Sequence, residues 1–319
     1  MPAKVWVGVD IGGTKTAIAV SERIPEVSER IQFATLPSKG PDRALDLIAK
    51  GIGAILKRRG LSRSAIRGIG VSCGGPLDRM RGIIHSPPNL ATWVDVPVKA
   101  IFERQFGVRC NVENDANAGA VAEHRYGAGR GIDNMVFLTM GTGLGAGIIV
   151  DGRLYHGTDD LAGEIGHVRL TRGGPVGHNK RGSAEGWASG GGIEQAAKRA
   201  VEDARKRGRI TILTAHRRAL TARDVSAAAR RGDAVAMGIV RSTGERLGQV
   251  LAILADILNP ERIVIGGLGM RAGEMIIGPA REVMAREALP AAAASCRVVP
   301  AALGERIGDV AALCVAVGL

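Results

Sequence analysis

Aromatic side chains are scarce in this 319-residue chain: four Phe, two Tyr and three Trp, 3% of the total. So few stacking platforms argue against a surface built to bind single-stranded nucleic acid. Cysteine is equally sparse. Cys73, Cys110, Cys296 and Cys314 are scattered with no CxxC pair, which disfavours a disulfide frame and fits reduced, buried thiols. No apolar run reaches the ~18 residues that span a bilayer. The closing "DVAALCVAVGL" is too short and reads as a core helix. A basic segment followed by an apolar one and a cleavage site is lacking at the start, so the expectation is a cytoplasmic protein with no membrane partner. A P-loop, GxxxxGK[ST], is also missing.

Positive charge, in contrast, is plentiful, with a formal net charge of +12. Runs such as "EDARKRGRI" and "TAHRRALTARD" interleave bases with acids or alanines, as solvated helix faces do. The expectation is therefore no specific nucleic-acid partner, and a field that favours a polyanionic small molecule.

Glycine is abundant at 46 residues, and its placement is informative. "VWVGVDIGGTKTAIAV" reads as two apolar strands around Asp10-Ile11-Gly12-Gly13-Thr14-Lys15, a turn with more polar groups than chain reversal needs. "MVFLTMGTGLGAGIIVDGRLY" repeats the plan around Gly141-Thr142-Gly143, and "ERIVIGGLGM" gives a third strand and glycine turn at Gly266-Gly267. Glycine turns bring main-chain N–H groups close to a ligand and can cradle phosphate oxygens. "GTGLGA" satisfies GxGxxG/A formally, but it continues as a strand instead of opening a helix, which excludes a dinucleotide fold.

Between these units the chain alternates. "RALDLIAKGIGAILKRRG" has apolar residues at helical spacing, "IRGIGVSCGGPL" reads as a strand, and "CNVENDANAGAVAEHRYG" as a strand entering a helix near Asn114 or Asp115. Residues 193–258 read as mainly helical. Two strand–turn–strand units, each opening an α/β segment, predict two related lobes facing each other across a cleft. The expected boundary is a crossover near residue 118. It gives an N-terminal lobe over about 1–118, joined by a C-terminal helix at about 305–319, and a C-terminal lobe over about 119–304.

"DIGGTKT" and "MGTGLGAG" resemble the two phosphate loops of the actin, Hsp70 and sugar-kinase superfamily, and "IVIGG" its adenosine loop. With "SPPNLATWVDVPV", "VENDANAGAVAE", "GEIGH" and "GSAEGWASGGGI" the chain is similar to the ROK family of repressors, open reading frames and kinases. The resemblance implies an α/β fold of two ribonuclease H-like lobes (an actin-like ATPase fold) and ATP-dependent phosphorylation of a hexose. Glucose leads, with mannose, allose, fructose, N-acetylglucosamine and N-acetylmannosamine as alternatives. It also implies a homodimer, while the basic balance of the chain leaves polyphosphate open as a donor beside ATP.

The same resemblance implies roles. Asp115 is the candidate base, and its position at a helix start is expected to keep it ionised through the positive end of the dipole. Asn89, Asn114, Glu164, His167 and Glu185 join Asp115 in holding the sugar. Asp10 is expected to hold Mg²⁺ through water. Gly12, Gly13, Thr14, Lys15, Gly141, Thr142, Gly143, Gly266 and Gly267 are expected to meet the nucleotide. Many similar proteins hold a structural zinc through a histidine and three cysteines. Here Val176, His178 and Ser183 stand where those cysteines would be, so no structural zinc is expected and only His167 and His178 remain as donors. The competing reading is a non-catalytic sugar sensor. Repressors of this kind carry a helix-turn-helix before the first phosphate loop, and only Met1 to Lys4 precede the first strand here.

Overall fold

Valine, isoleucine and alanine on both sides of the Asp10–Lys15 turn leave little choice but a buried hairpin. β1 (Val5–Ile11) pairs antiparallel with β2 (Lys15–Ser21), Asp10 standing opposite Ala17. The computed structural model describes residues 4–215 and 218–318. It divides into two units: Met1–Arg130 with Leu154–Ala162 and Glu305–Leu319, and Gly131–Arg153 with Gly163–Gly304. The chain changes unit after Arg130, not near residue 118, because the helix that begins at Asp115 runs unbroken to Tyr126.

In the first unit β3 (Glu29–Ala34) extends the hairpin antiparallel, while β4 (Ile66–Cys73) and β5 (Cys110–Asn114) add parallel strands on the other side of β1. The order is β3-β2-β1-β4-β5. Helix α1 (Pro41–Arg58) starts with a proline at its first turn, where no N–H is needed, and stops before Gly60 at φ +63°. Its residues Ala44, Leu45, Ile48, Ile52, Ile55 and Leu56 recur every three or four positions and are buried, each large one worth about 1.5–3 kcal/mol. Helix α2 (Val98–Phe106) buries Phe102 and Phe106 and ends at Gly107 in the left-handed region. Helix α3 (Asp115–Tyr126) follows β5 without a loop.

The C-terminal helix (Ile307–Val317) lies directly on β1 and β4. A Cβ on Gly8 would stand 2.7 Å from Leu313 N, and one on Gly70 would overlap Ala316 N and Ala312 O. Bare backbone in the strands is what lets this helix settle so close to the sheet.

The second unit repeats the plan. β6 (Met135–Met140) and β7 (Leu144–Val150) form an antiparallel hairpin, and β8 (Arg153–Tyr155), the strand in which the chain leaves this unit after Arg153, is next to β7 in the sheet. β9 (Arg262–Ile265) and β10 (Arg297–Pro300) add parallel strands, for the order β8-β7-β6-β9-β10. Two sheets of identical order, each an antiparallel meander followed by two parallel strands, are what a repeated ribonuclease H-like unit produces. Helices α4 (Ala184–Ala188), α5 (Gly190–Lys206), α6 (Ala222–Arg230) and α7 (Ala234–Leu258) fill the long insertion before β9. Helix α8 (Gly267–Ala272) follows β9, and α9 (Glu274–Glu287) packs on α7. Among the described residues no helix is long and apolar enough to cross a membrane.

Candidate active site

In the first unit the three parallel strands all end at one edge, the place where open α/β sheets carry their ligands. β1 delivers Asp10 and the Gly12-Gly13 turn, β4 delivers Gly74-Gly75, and β5 delivers Asn114 and Asp115. The first turn is closed by Gly12 N–H donating to Lys15 O at 3.0 Å and by Thr35, whose hydroxyl donates to Gly12 O at 2.6 Å. Thr14 and Lys15 are exposed on it. Asn89 lies on a 3₁₀ turn, Pro88–Leu90, pressed against this loop: a Cβ on Gly13 would stand 2.6 Å from Asn89 Cβ. A Cβ on Gly74 would lie 3.8 Å from Asn89 Oδ1, and one on Gly75 would lie 3.3 Å from Asn114 Nδ2. Asn89, Asn114 and the glycine turns of β1 and β4 therefore converge.

Asn114 caps α3, its side-chain oxygen accepting from Ala116 N at 2.9 Å and Asn117 N at 3.4 Å. Its amide nitrogen keeps its donors. Asp115 is the first helical residue and remains exposed, with Oδ1 accepting from Ala116 N at 2.9 Å. The helix start does favour its charged form, but the loss of hydration among surrounding protein atoms outweighs that. Solvent still reaches the carboxylate, but the protein atoms crowded around it strip part of its hydration and raise its pKa from the usual 3.8, and hydrogen bonds from main-chain N–H groups offset only part of the rise. Such a carboxylate is a better proton acceptor than an ordinary aspartate.

Asp10 is half-buried, and its pKa is raised to about 7. Burial is the largest cause, then the charges of Asp115 and Asp309, against the opposing pull of Lys15 and Arg30. Repulsion among acids favours a cation beside Asp10, and hard carboxylate oxygen suits Mg²⁺. Among the described residues no three His, Cys, Asp or Glu side chains form a metal-holding group.

The second unit carries the other candidates. Gly141, Thr142 and Gly143 form the β6–β7 turn, with Gly141 N donating to Gly143 O at 3.0 Å. The start of α5 braces it, Gly190 N donating to Gly141 O at 2.8 Å and Gly191 N to Thr142 O at 3.2 Å. Glu185, on α4, accepts from Leu144 N at 3.2 Å, and a Cβ on Gly143 would stand 2.5 Å from its Oε2. Glu164 and His167 share one 3₁₀ turn, His167 N donating to Glu164 O at 3.0 Å, and both are exposed. Ala184 N, donating to Val168 O at 2.8 Å, ties that turn to α4. Glu164, His167, Glu185 and the β6–β7 turn are thus neighbours within this unit.

Gly266 and Gly267 have a packing reason of their own. They do not merely turn the chain but open α8, and Gly267 adopts φ +60° with its α-carbon against Met140 O.

The segment after Glu164 is held by hydrogen bonds. Val176–Gly177 pairs antiparallel with Lys180–Arg181, and Gln195 bridges to Val176 N and O at 3.0 and 2.7 Å. Ser183 caps α4 through Gly186 N at 3.1 Å, and Trp187 Nε1 donates to Thr171 Oγ1 at 2.8 Å. The His167 and His178 rings meet edge to face at 5.5 Å.

Sequence reasoning missed several groups at the first unit's edge. Asp309 is buried and paired with Arg30 at 2.7 Å. Gly308, its neighbour, has its α-carbon against Asp10 Oδ2. Glu113 is 3% exposed, accepts from Asn114 N at 2.9 Å and Asn117 Nδ2 at 3.0 Å, and meets His156 Nε2 at 3.0 Å. The only available signal was the acid next to Asn114; nothing local joins residue 113 to 156.

Comparison with known proteins identifies the family. A family model described as the ROK family matches residues 6–317. The glucokinase of Halalkalibacterium halodurans is 34% identical over 310 residues, covering 97% of this chain and 93% of that protein. The xylose repressor of Caldicellulosiruptor bescii is 28% identical over 280 residues, covering 87% of this chain and 69% of that protein. The crystal structure of a ROK family glucokinase from Streptomyces griseus, in complex with glucose and AMPPNP, superposes with a TM-score of 0.83 at 31% identity, covering 98% of this chain and 99% of that one. On its repeated sheet order, its glycine turns and these matches, the chain belongs to the ROK family and has the actin-like ATPase fold.

Proposed function

We propose that this chain is a sugar kinase that transfers the γ-phosphoryl group of ATP to a hexose, with glucose as the leading substrate. The observation that carries the reading is Asp115. It is an exposed carboxylate of raised pKa at the start of α3, on the same sheet edge as the Gly12-Gly13 turn. The glucokinase relatives and the glucose and AMPPNP bound by the Streptomyces griseus enzyme support substrate and donor.

In this reading Asp115 accepts the proton of the attacking hydroxyl as its oxygen bonds to the γ-phosphorus and the bond to the ADP oxygen breaks. Asn89 and Asn114 present amide groups, and Glu164, His167 and Glu185 present a carboxylate, an imidazole and a second carboxylate to the ring hydroxyls. Unmatched polar groups in such a site are costly, which is how a hydroxyl pattern is selected. Main-chain N–H groups of Gly13, Thr14, Thr142 and Gly143 meet phosphate oxygens, in turns that Gly12 and Gly141 close with their own N–H groups, with the Thr14, Thr142 and Lys15 side chains beside them. Gly266 and Gly267 border the nucleoside. Asp10 would hold Mg²⁺ through water, and the ion would neutralise phosphate charge. The enzyme works in the cytoplasm as a homodimer. The exposed Ile257 and Leu289, near the α7 C-terminus, support an apolar contact between copies.

A sugar-responsive regulator is the second reading, favoured by the similarity to the xylose repressor. A coupled ADP-release assay across glucose, mannose, allose, fructose and the two N-acetylhexosamines, with ATP or polyphosphate as donor, separates the two. Glucose-dependent ADP release is the expected result. Sugar binding without turnover on any arm would favour the regulator.

A further inference from the structure

The hairpin beside His167 does something that its pairing alone does not need. Its two central residues, His178 and Asn179, have φ of +43° and +61°. Positive φ at both positions is the type I′ turn, whose twist matches a two-residue hairpin. Asn tolerates that conformation well and His better than most residues do. The turn sets Lys180 directly opposite Gly177 and sends its side chain to His167. There Lys180 Nζ donates to His167 O at 2.8 Å and stands 3.2 Å from His167 Nδ1.

An ammonium group has donors and no acceptor. A ring nitrogen facing it must therefore offer its lone pair, which in a neutral imidazole puts the proton on the other nitrogen. The second contact, to the carbonyl of the same residue, anchors the ammonium so that it does not simply swing into water. The His178 ring at 5.5 Å limits rotation of the His167 ring from another side.

We propose that Lys180 is a positioning residue that fixes His167 as the tautomer protonated on Nε2, so that His167 offers the hexose a hydrogen-bond donor at a defined nitrogen. The claim rests on the kinase reading for the word hexose, and on the lysine–imidazole geometry for the tautomer. Lys180 itself touches no reacting atom. Because the pair is partly open to solvent, its effect is a bias in substrate binding and not an all-or-none requirement.

The test uses the full chain labelled with ¹⁵N-histidine in mildly alkaline buffer. Long-range ¹H–¹⁵N correlations report which ring nitrogen bears the proton, and Lys180→Met and Lys180→Gln are compared with wild type. Wild-type His167 should show unprotonated Nδ1 and protonated Nε2. Lys180→Met, which removes the donor and keeps the length, should shift His167 towards a tautomer mixture. It should raise the glucose KM about tenfold while the ATP KM stays within about twofold (a tenfold change is 1.4 kcal/mol). Lys180→Gln, which retains an N–H donor, should recover most of both effects. General destabilisation would instead lower active enzyme without separating the two KM values. A wild-type His167 protonated on Nδ1, or a Lys180→Met enzyme with unchanged tautomer and glucose KM, overturns the proposal. If wild type phosphorylates no hexose, the kinase reading fails, and the spectrum still decides the tautomer.

Discussion

Gly141 offers a substitution in which stability and function should move in opposite directions. It lies exposed in the β6–β7 turn, a Cβ built on it meets no atom within 4 Å, and its φ is outside the left-handed region. Nothing in the fold requires glycine there. Gly141→Ala should therefore stabilise the protein by about 0.4–1 kcal/mol, through the smaller freedom of the unfolded chain. At roughly 2–4 °C per kcal/mol, the midpoint should rise by about 1–4 °C. If phosphate oxygens use the space over this turn, the added methyl denies them one close main-chain hydrogen bond. A hydrogen bond to a charged group is worth about 1.5–3 kcal/mol, so the ATP KM should rise about 10- to 150-fold, with the glucose KM little changed. Calorimetry without ligand and initial rates against ATP at saturating glucose measure the two sides. A folded variant with an ATP KM within about twofold of wild type would refute the reasoning, because the turn would then serve chain reversal alone.

Other predictions follow from the same structure. His156→Ala leaves the buried Glu113 Oε2 without its imidazole partner and should cost about 1–3 kcal/mol, read as a lower unfolding midpoint and faster amide exchange at Ala116 and Asn117. Asp224 closes a capping box with Thr221 and pairs with Arg218, and the Arg218 hydrogen bonds, then those from Thr221, hold its carboxyl well below the usual range. Its contribution is thus present above the unfolded aspartate pKa of ~3.9 and lost as pH falls through the lower folded value. Asp224→Ala should cost about 1 kcal/mol at neutral pH, and the gap to wild type should narrow as denaturation curves are repeated below about pH 4. The raised pKa of Asp115 predicts an acid limb of the kcat profile above 3.8, the ordinary aspartate value; a limb at or below it would contradict that shift.

Much of the fold was legible because the signals were local. Apolar runs broken by Gly12-Gly13 and Gly141-Thr142-Gly143 gave both hairpins, and the asparagine at 114 marked the start of α3. β3 was not legible: it is an edge strand whose residues alternate between half-buried and exposed, with Glu29 and Arg30 among them. The candidate site was legible where residues sit inside a motif, as Asn114-Asp115 and Glu164–His167 do. It was not legible where partners come from distant stretches, as Asp309 with Arg30, His156 with Glu113 and Lys180 with His167 do. The sense of the Asp115 shift was also hidden, because a helix start can be read from sequence but the loss of hydration around a side chain cannot.

Asp115→Asn tests the central claim most directly, since it removes the proton acceptor while keeping size and hydrogen-bonding shape. Turnover of ATP and glucose should fall by at least about 10²- to 10⁴-fold, the range that general-base catalysis supplies, while glucose binding measured by titration calorimetry stays within a few-fold of wild type. Near-normal turnover with glucose still bound would contradict the assignment of the base, and with it the mechanism built on this sheet edge.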